Sequence, residues 1–189
     1  IIVARAGGTG TLTLDASAGN VIWNGDVDLQ RTLTLDNGSG SLAATLNGTL
    51  SGVGDLLKVG GGEMVLTNAM NSFGSGAVDS VGITTGTITV ASDGALGNAA
   101  NGVNLTSSGI LRITGSFATS RTITVTGTAT DVNVTSGNTL TVNSPFAGTG
   151  TFTKGDTGTL EIGPAVDATA SRGSAITALG AGVLRLQRG

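Results

Sequence analysis

The chain has 189 residues and a formal net charge of −3. With this charge we do not expect an extended basic surface that binds nucleic acid. Charged residues make up 11% and aromatic residues 3%, so a core would have to be built from aliphatic side chains. The chain has no Cys and no His, which excludes a disulfide scaffold, Cys-based zinc sites and Ser-His or Cys-His catalysis. No apolar run approaches the ~18 residues of a membrane-spanning helix, so we expect no transmembrane segment.

Short stretches with apolar and polar residues in alternation recur along the chain, and this period of two predicts half-buried strands. In chain order the clearest stretches are 10–14, 31–35, 86–90, 109–113, 121–125, 139–142 and 182–186. Gly, Asn and Asp separate them, and no stretch shows the apolar spacing of an amphipathic helix. The pattern predicts many strands of about five residues and almost no helix.

An internal repeat organises these strands. Residues 52–66 and 148–162 match at a constant offset of 96 residues, with small, apolar and basic positions all in register. The matching pairs are Gly52/Gly148, Gly54/Gly150, Leu56/Phe152, Lys58/Lys154, Gly62/Gly158, Met64/Leu160 and Leu66/Ile162. A second match, at an offset of 90 residues, relates the strand that follows Arg31 to the strand that follows Arg121.

Two all-β architectures fit this pattern: a β-sandwich or barrel, and a parallel β-solenoid. Repetition at the level of sequence, similar side chains at matching positions and Asn residues at the turns (Asn20, Asn37, Asn47, Asn68 and Asn138) favour the solenoid. At roughly 20–25 residues per coil, we expect a right-handed parallel β-helix of about eight coils. We predict one segment, 1–189, with repeat units at about 1–66 and 67–162 and with 163–189 continuing the solenoid.

The repeat predicts which side chains face the core. Six apolar residues should point inward: Leu56, Met64, Leu66, Phe152, Leu160 and Ile162. Lys58 has the parity of Leu56, and Lys154 the parity of Phe152, so straight strands would bury both lysines. Because an unpaired buried ammonium is very costly, we expect the strands to bend and to turn four basic residues outward at corners. These residues are Arg31, Lys58, Arg121 and Lys154, and we expect substitution of Lys58 to cost little.

Candidate chemistry is sparse. Asp26 and Asp28 could contribute to a calcium site, but such a site needs six to eight oxygen ligands, and a solvated turn explains the pair as well. No motif places two carboxylates for acid–base work. We therefore expect no catalytic residue, no metal site and no cofactor.

Residues 52–66, followed by Asn71-Ser72-Phe73, Gly86-Thr87-Ile88 and Ala95-Leu96-Gly97, resemble the passenger-associated transport repeat of bacterial autotransporters. Residues 148–162 match its first half. The resemblance implies a right-handed parallel β-helix, secretion through the outer membrane and a stalk displayed at the bacterial cell surface. A structural or adhesin-type passenger segment is the first functional hypothesis, and the alternatives are a self-assembling extracellular filament subunit and a polysaccharide-active β-helix enzyme.

Both ends of the chain have strand character. The chain starts with Ile1 rather than Met and shows no signal-peptide pattern, so we expect a processed product or a piece of a longer protein. We expect end-to-end stacking at Ile1, Ile2 and Val3 and at Val183, Leu184 and Leu186, with neighbouring β-helix segments or with copies of the chain. A host surface or an extracellular polysaccharide is a further candidate partner, and nucleic acid is not.

Overall fold

The computed structural model describes residues 2–3, 10–13, 19–38, 43–163 and 175–187, with side chains described at 19–38, 43–163 and 180–187. Over these ranges the chain forms twenty strands, and its one regular helix is the 3-10 helix Asp93–Leu96. The strands pair in parallel and build a β-solenoid of about six turns. The predicted fold class is therefore confirmed, with about six described turns against about eight predicted for the whole chain.

Each coil of the solenoid contributes to three faces. The first face contains β2 (Gly10–Thr13), β5 (Leu33–Asp36), β8 (Leu56–Val59), the first part of β10 (Val81–Val90), the first part of β11 (Val103–Ile113), β13 (Ile123–Val125) and β16 (Phe146–Ala147). The second contains β3 (Val21–Trp23), β6 (Ala43–Leu46), β9 (Glu63–Leu66), the later parts of β10 and β11, β14 (Thr130–Val134), β17 (Thr151–Gly155) and β19 (Ala175–Leu179). The third contains β1 (Ile2–Val3), β4 (Val27–Leu29), β7 (Leu50–Ser51), β12 (Phe117–Thr119), β15 (Thr139–Val142), β18 (Thr159–Ile162) and β20 (Val183–Leu186).

Columns of inward-facing aliphatic side chains form the core. On the first face the ladder places Leu33 beside Leu56, Leu56 beside Val81, and so on to Val103 and Ile123. Each of these five side chains is buried. Since alternate residues of a strand point to opposite faces of a sheet, the period-two pattern of the sequence becomes a lumen filled by one residue per coil in each column. Burial of this aliphatic surface is the main stabilising contribution to the fold.

Side-chain amides link successive coils at the turns. Asn47 Nδ2 donates to Asn24 Oδ1 at 2.8 Å, and Asn47 Oδ1 accepts from Thr67 Oγ1 at 2.8 Å. Asn68 Nδ2 in turn contacts the Asn47 carbonyl at 3.4 Å. The Asn residues of the turns thus bridge coils along the axis, as the sequence indicates.

Replacing Asn47 with alanine should lower the free energy of unfolding by about 1 kcal/mol, because two hydrogen bonds between coils are lost at an exposed corner. Urea unfolding of the two proteins would measure the change. Asn47→Asp is the matched control, since it keeps the acceptor for Thr67 and loses the donor to Asn24. A loss above about 3 kcal/mol would contradict a role limited to these bonds.

The repeat is rotated around the solenoid by one face. Leu56 lies on the first face, and the first-face strand four coils later contains Phe146. Phe152, which matches Leu56 at the 96-residue offset, lies on the next strand, β17, of the second face. The offset of 96 residues therefore corresponds to four coils plus one face. The 90-residue offset corresponds to four whole coils, since Leu33 and Ile123 occupy one column.

Candidate functional site: buried cations and the interrupted third face

The core positions of the repeat lie in the lumen. Leu56, Met64, Leu66, Phe152 and Leu160 are buried, and Ile162 is partly buried and packs against the same core. Phe152 stacks on Phe146 with ring centroids 4.7 Å apart. These apolar residues therefore pack in the core as the sequence predicts.

Lys58 lies inside the solenoid, which makes the prediction of an outward corner lysine wrong. The ladder places it in an inward column between Leu35 and Ile83, and its exposed fraction is 0%. Its ammonium donates to the carbonyl oxygens of Val59 at 2.5 Å and Gly60 at 2.6 Å. The strand does turn at this point, but the turn follows the lysine and directs backbone carbonyls towards the lumen.

Lys154 repeats this arrangement on the second face, and the outward prediction is wrong here too. Its exposed fraction is 0%, and its ammonium donates to Gly155 O at 2.6 Å, Asp156 O at 2.7 Å and Ala181 O at 3.1 Å. Gly60 and Asp156, which match at the 96-residue offset, have φ angles of 73° and 55°. In both turns the residue two positions after the lysine is left-handed, and the carbonyls of the two residues after the lysine accept hydrogen bonds from its ammonium.

Burial lowers the pKa of Lys58 to about 8 from an ordinary value of 10.5, with the nearby Asp36 carboxylate opposing the shift. Burial also lowers the pKa of Lys154, and Asp156 opposes that shift. Between pH 8 and 10.5 the unfolded chain retains protons that folded Lys58 has released. The free energy of unfolding should therefore rise with pH across this window, because the unfolded state binds more protons.

Urea unfolding at pH 7.5 and pH 10 tests this dependence, with a higher midpoint expected at pH 10. Lys58→Met should reduce the difference between the two midpoints, since it removes one of the two groups that titrate. A midpoint that falls with pH in the parent chain and is unchanged in Lys58→Met would contradict a lowered pKa.

The two arginines predicted at corners differ from each other. Arg31 is exposed, as predicted. Arg121 is buried, so the prediction that it points outward at a corner is wrong. All five donor hydrogens of the Arg121 guanidinium have acceptors: Nε contacts Asp93 Oδ1 at 2.8 Å, Nη2 contacts Asp93 O at 3.0 Å and Gly97 O at 2.9 Å, and Nη1 contacts Asn98 O and Asn101 O. A guanidinium with a full set of acceptors can be buried where a single unpaired charge cannot.

Arg121 stabilises a region where the third face is interrupted. Between β7 and β12 this face has no strand among the described residues, and Phe73 and the 3-10 helix Asp93–Leu96 take the place of two strands. Backbone bonds still cross the gap, from Ser72 N to Leu50 O at 2.8 Å and from Asn98 N to Phe73 O at 2.9 Å. The core is therefore continuous, while the surface changes from a flat sheet to two stacked loops, 67–80 and 91–102.

Two buried amides hold these loops together. Asn71 accepts from Leu50 N at 2.8 Å and donates to Ala95 O at 2.9 Å, which connects three coils. Asn101 donates to Phe73 O at 2.9 Å and Leu96 O at 3.0 Å. Both amides and Arg121 thus satisfy backbone groups that a regular strand would have paired. In the sequence, the interval between Leu66 and the predicted strand 86–90 indicates a longer loop at this place, but not the buried contacts that hold the loop.

Large apolar side chains are exposed at the loops and corners near the interruption. Met70 is 78% exposed, Val53 is 66% exposed and Val78 is 62% exposed. Scattered exposed aliphatic residues are ordinary, but here Val53 lies at the corner after β7, and Met70 and Val78 lie in loop 67–80 of the next coil, in a solenoid whose other aliphatic residues mostly fill the lumen. We name Val53, Met70 and Val78 the exposed apolar set.

The outer surface of the second face carries an ionic ladder. Arg112 lies 3.8 Å from Glu63 Oε1 and 3.5 Å from Asp156 Oδ2, and so connects coils on either side. Thr89 Oγ1 donates to Glu63 at 2.5 Å. Partial burial raises the pKa of Asp131 on the same face, and a hydrogen bond from the Thr153 side chain opposes this rise. Exposed ion pairs of this kind contribute little to stability.

No group of three or more potential metal ligands occurs among the described residues. Asp28 Oδ1 accepts from Gln30 Nε2 within its own turn at 2.7 Å, whereas Asp26 Oδ1 accepts from Thr49 N of the next coil at 2.7 Å. In the part of the chain described here, no helix is long and apolar enough to cross a membrane.

The residues predicted to stack at the ends lie on edge strands of the third face. The backbone of Ile2 and Val3 pairs with Asp28 and Leu29, and Ile1 lies outside the described residues. At the other end, β20 pairs with β18. Val183 and Leu186 are exposed, and Leu184 packs partly against the core.

The protein is a parallel β-solenoid with two lysines inside its lumen. Each lysine belongs to one copy of the internal repeat, and the two copies lie on different faces. A curated relative, the adhesin BmaC autotransporter of Brucella suis biovar 1 (strain 1330), is 38% identical to this chain over 96 residues. The match covers 51% of this chain and 3% of the relative, so the chain spans about 3% of the length of the curated relative it matches. No protein-family model and no solved structure matches the chain. The similarity and the solenoid together fit the resemblance to an autotransporter-type β-helix protein.

Proposed function

We propose that the chain is a segment of a bacterial surface-displayed or secreted β-helical passenger of the adhesin type, without catalytic activity. The observation that carries the proposal is the parallel solenoid with a continuous aliphatic lumen, which agrees with the similarity to an autotransporter adhesin. Hydrogen bonds between coils run along the axis, and aliphatic side chains stack inside, so the segment acts as a stiff spacer.

Contact with a partner takes place at the loops of the interrupted third face. The flat faces expose short polar residues and a few ion pairs, whereas the exposed apolar set lies at the turns and loops near the interruption. The partner is a host surface or an extracellular polysaccharide. The segment needs no cofactor for this role.

Surface display and adhesion are tested on intact bacteria that carry the parent gene. An antibody raised against residues 1–189 should label intact cells, and a deletion of these residues should reduce adhesion to host cells. A triple variant, Val53→Ser, Met70→Ser and Val78→Ser, should reduce adhesion while its thermal unfolding matches that of the parent. Labelling only after lysis, or unchanged adhesion in the deletion strain, would contradict the proposal.

The enzymatic alternative predicts turnover by the purified protein. A polysaccharide-active β-helix needs clustered carboxylates with a base, and the described residues contain no such cluster around a groove. Saccharide depolymerisation assays should therefore show no activity. A reproducible turnover that a single Asp→Asn substitution abolishes would replace the proposed role by an enzymatic one.

A further inference from the structure

Four asparagines of the chain are followed directly by glycine, at positions 24, 37, 47 and 101. An Asn-Gly pair reacts with itself when the glycine nitrogen attacks the asparagine Cγ, because glycine has no side chain to block the approach. The new bond between nitrogen and Cγ closes a succinimide ring, and the amide nitrogen leaves as ammonia with the proton of the glycine N–H. Water then opens the ring to aspartate or to isoaspartate, in which the main chain runs through the side-chain carbon.

The fold opposes this reaction at Asn101. The side chain is buried, and its Nδ2, which would have to leave, donates to Phe73 O at 2.9 Å and to Leu96 O at 3.0 Å. The nitrogen that would attack, Gly102 N, donates to Ala77 O at 2.8 Å. Three hydrogen bonds therefore have to break before the ring closes, and two buried carbonyls would lose their donor.

Asn37 is held in a similar way. It is 4% exposed, and its Nδ2 donates to Glu63 O at 2.6 Å. The following nitrogen, Gly38 N, donates to Asp36 Oδ1 at 3.0 Å. Both the leaving group and the attacking nitrogen are thus bound to other groups, and ring closure has to break two hydrogen bonds.

Asn24 and Asn47 are both exposed, and they differ at the nitrogen that leaves. Asn47 Nδ2 donates to Asn24 Oδ1 at 2.8 Å, so the amide nitrogen of Asn47 is bound, whereas Asn24 Nδ2 has no acceptor among the described residues. The same bond polarises the Asn24 carbonyl and so favours attack on its Cγ. Gly25 is also exposed, whereas Gly48 is buried, and a Cβ built on Gly48 would overlap the Gly25 carbonyl.

We propose that Asn24 is a site of spontaneous modification in the folded segment, where ring closure onto Gly25 N converts the amide to aspartate or isoaspartate. The modified corner gains a negative charge close to Asp26. The isoaspartate form also lengthens the main chain by one carbon atom where Gly48 packs against Gly25. This inference depends on the fold alone, so the proposed function holds or fails separately.

The test follows all four Asn-Gly pairs in one incubation. The 189-residue chain is kept at pH 8, folded and in parallel in urea, and peptide mass mapping measures the deamidated fraction at each pair. We expect similar rates at the four pairs in urea. In the folded chain Asn24 should react first, and at least about tenfold faster than Asn37 and Asn101, since two or three hydrogen bonds must break at those sites. Similar rates at all four pairs of the folded chain, or a faster reaction at another pair, would overturn the inference.

Asn24→Gln is the matched variant, because it keeps the amide but lengthens the side chain, so attack would close a larger and less favourable ring. The fluorescence of Trp23, the single tryptophan of the chain, gives a second measurement, since a Cβ built on Gly25 would lie 3.2 Å from Trp23 Nε1. Incubation of the folded parent should raise its mass and change this fluorescence, and should do neither in Asn24→Gln. A parent and a variant that change equally in both measurements would refute a reaction at Asn24.

Discussion

Replacing Arg121 with alanine should lower the free energy of unfolding by about 3–5 kcal/mol. The substitution removes a buried cation and leaves the carbonyl and carboxylate oxygens around it without a hydrogen-bond donor. The guanidinium contacts four backbone carbonyls and the Asp93 carboxylate. Arg121→Lys should recover only part of the loss, because an ammonium lacks the planar fork of five donors. Urea unfolding measures both, and hydrogen exchange should show faster exchange in loop 91–102.

The chain supplies its own control for this prediction. Arg31 precedes a matching strand at the 90-residue offset and is exposed, so Arg31→Ala should change stability little. Asp93→Asn should cost less than Arg121→Ala, since four of the five bonds of the guanidinium go to carbonyls. Equal effects of Arg31→Ala and Arg121→Ala would show that the contacts of Arg121 carry no stability.

Replacing Lys58 with alanine should lower the free energy of unfolding by about 3–5 kcal/mol. The substitution leaves a cavity in an inward column and removes the donor from two turn carbonyls. Lys58→Met should cost less, because it restores the volume and removes a buried charge while leaving the carbonyls without their donor. The difference between the two variants, measured by urea unfolding, separates packing from hydrogen bonding.

Lys154→Ala should have a similar effect, and the double variant should show additive losses, because the two lysines lie on different faces about four coils apart. If Lys58→Ala and Lys58→Gln both changed stability by less than about 1 kcal/mol, the lysine would have no role inside the turn. That outcome would agree with the outward corner that the sequence alone suggested.

The architecture could be predicted from the sequence because it depends on local, repeated signals. Alternation with period two gives strands, and a constant offset with matching residue types indicates stacking. The parity of Lys58 with Leu56 also predicted the true orientation of the lysine. The cost of a buried ammonium argues against that orientation, and a sequence does not show that the carbonyls of the following turn satisfy the ammonium.

The interrupted third face could not be predicted for the same kind of reason. Arg31 and Arg121 precede matching strands, yet only Arg121 meets the carbonyls of loop 91–102 from the coil beside it. That difference depends on contacts between residues that are 20 or more positions apart in the sequence and lie on neighbouring coils. A local sequence pattern does not predict such contacts. The rotation of the repeat by one face was likewise invisible, since an offset in sequence does not say how many strands make one coil.

Lys58 and Lys154 are the only lysines of the chain, and the fold places both inside the lumen. A folded copy therefore offers no ε-amino group to the solvent. Acylating reagents that label lysines, amine-directed crosslinkers and proteases that cut after lysine would find no accessible lysine on this segment until it unfolds. Amine labelling of this segment thus reports on the integrity of the solenoid rather than on its surface.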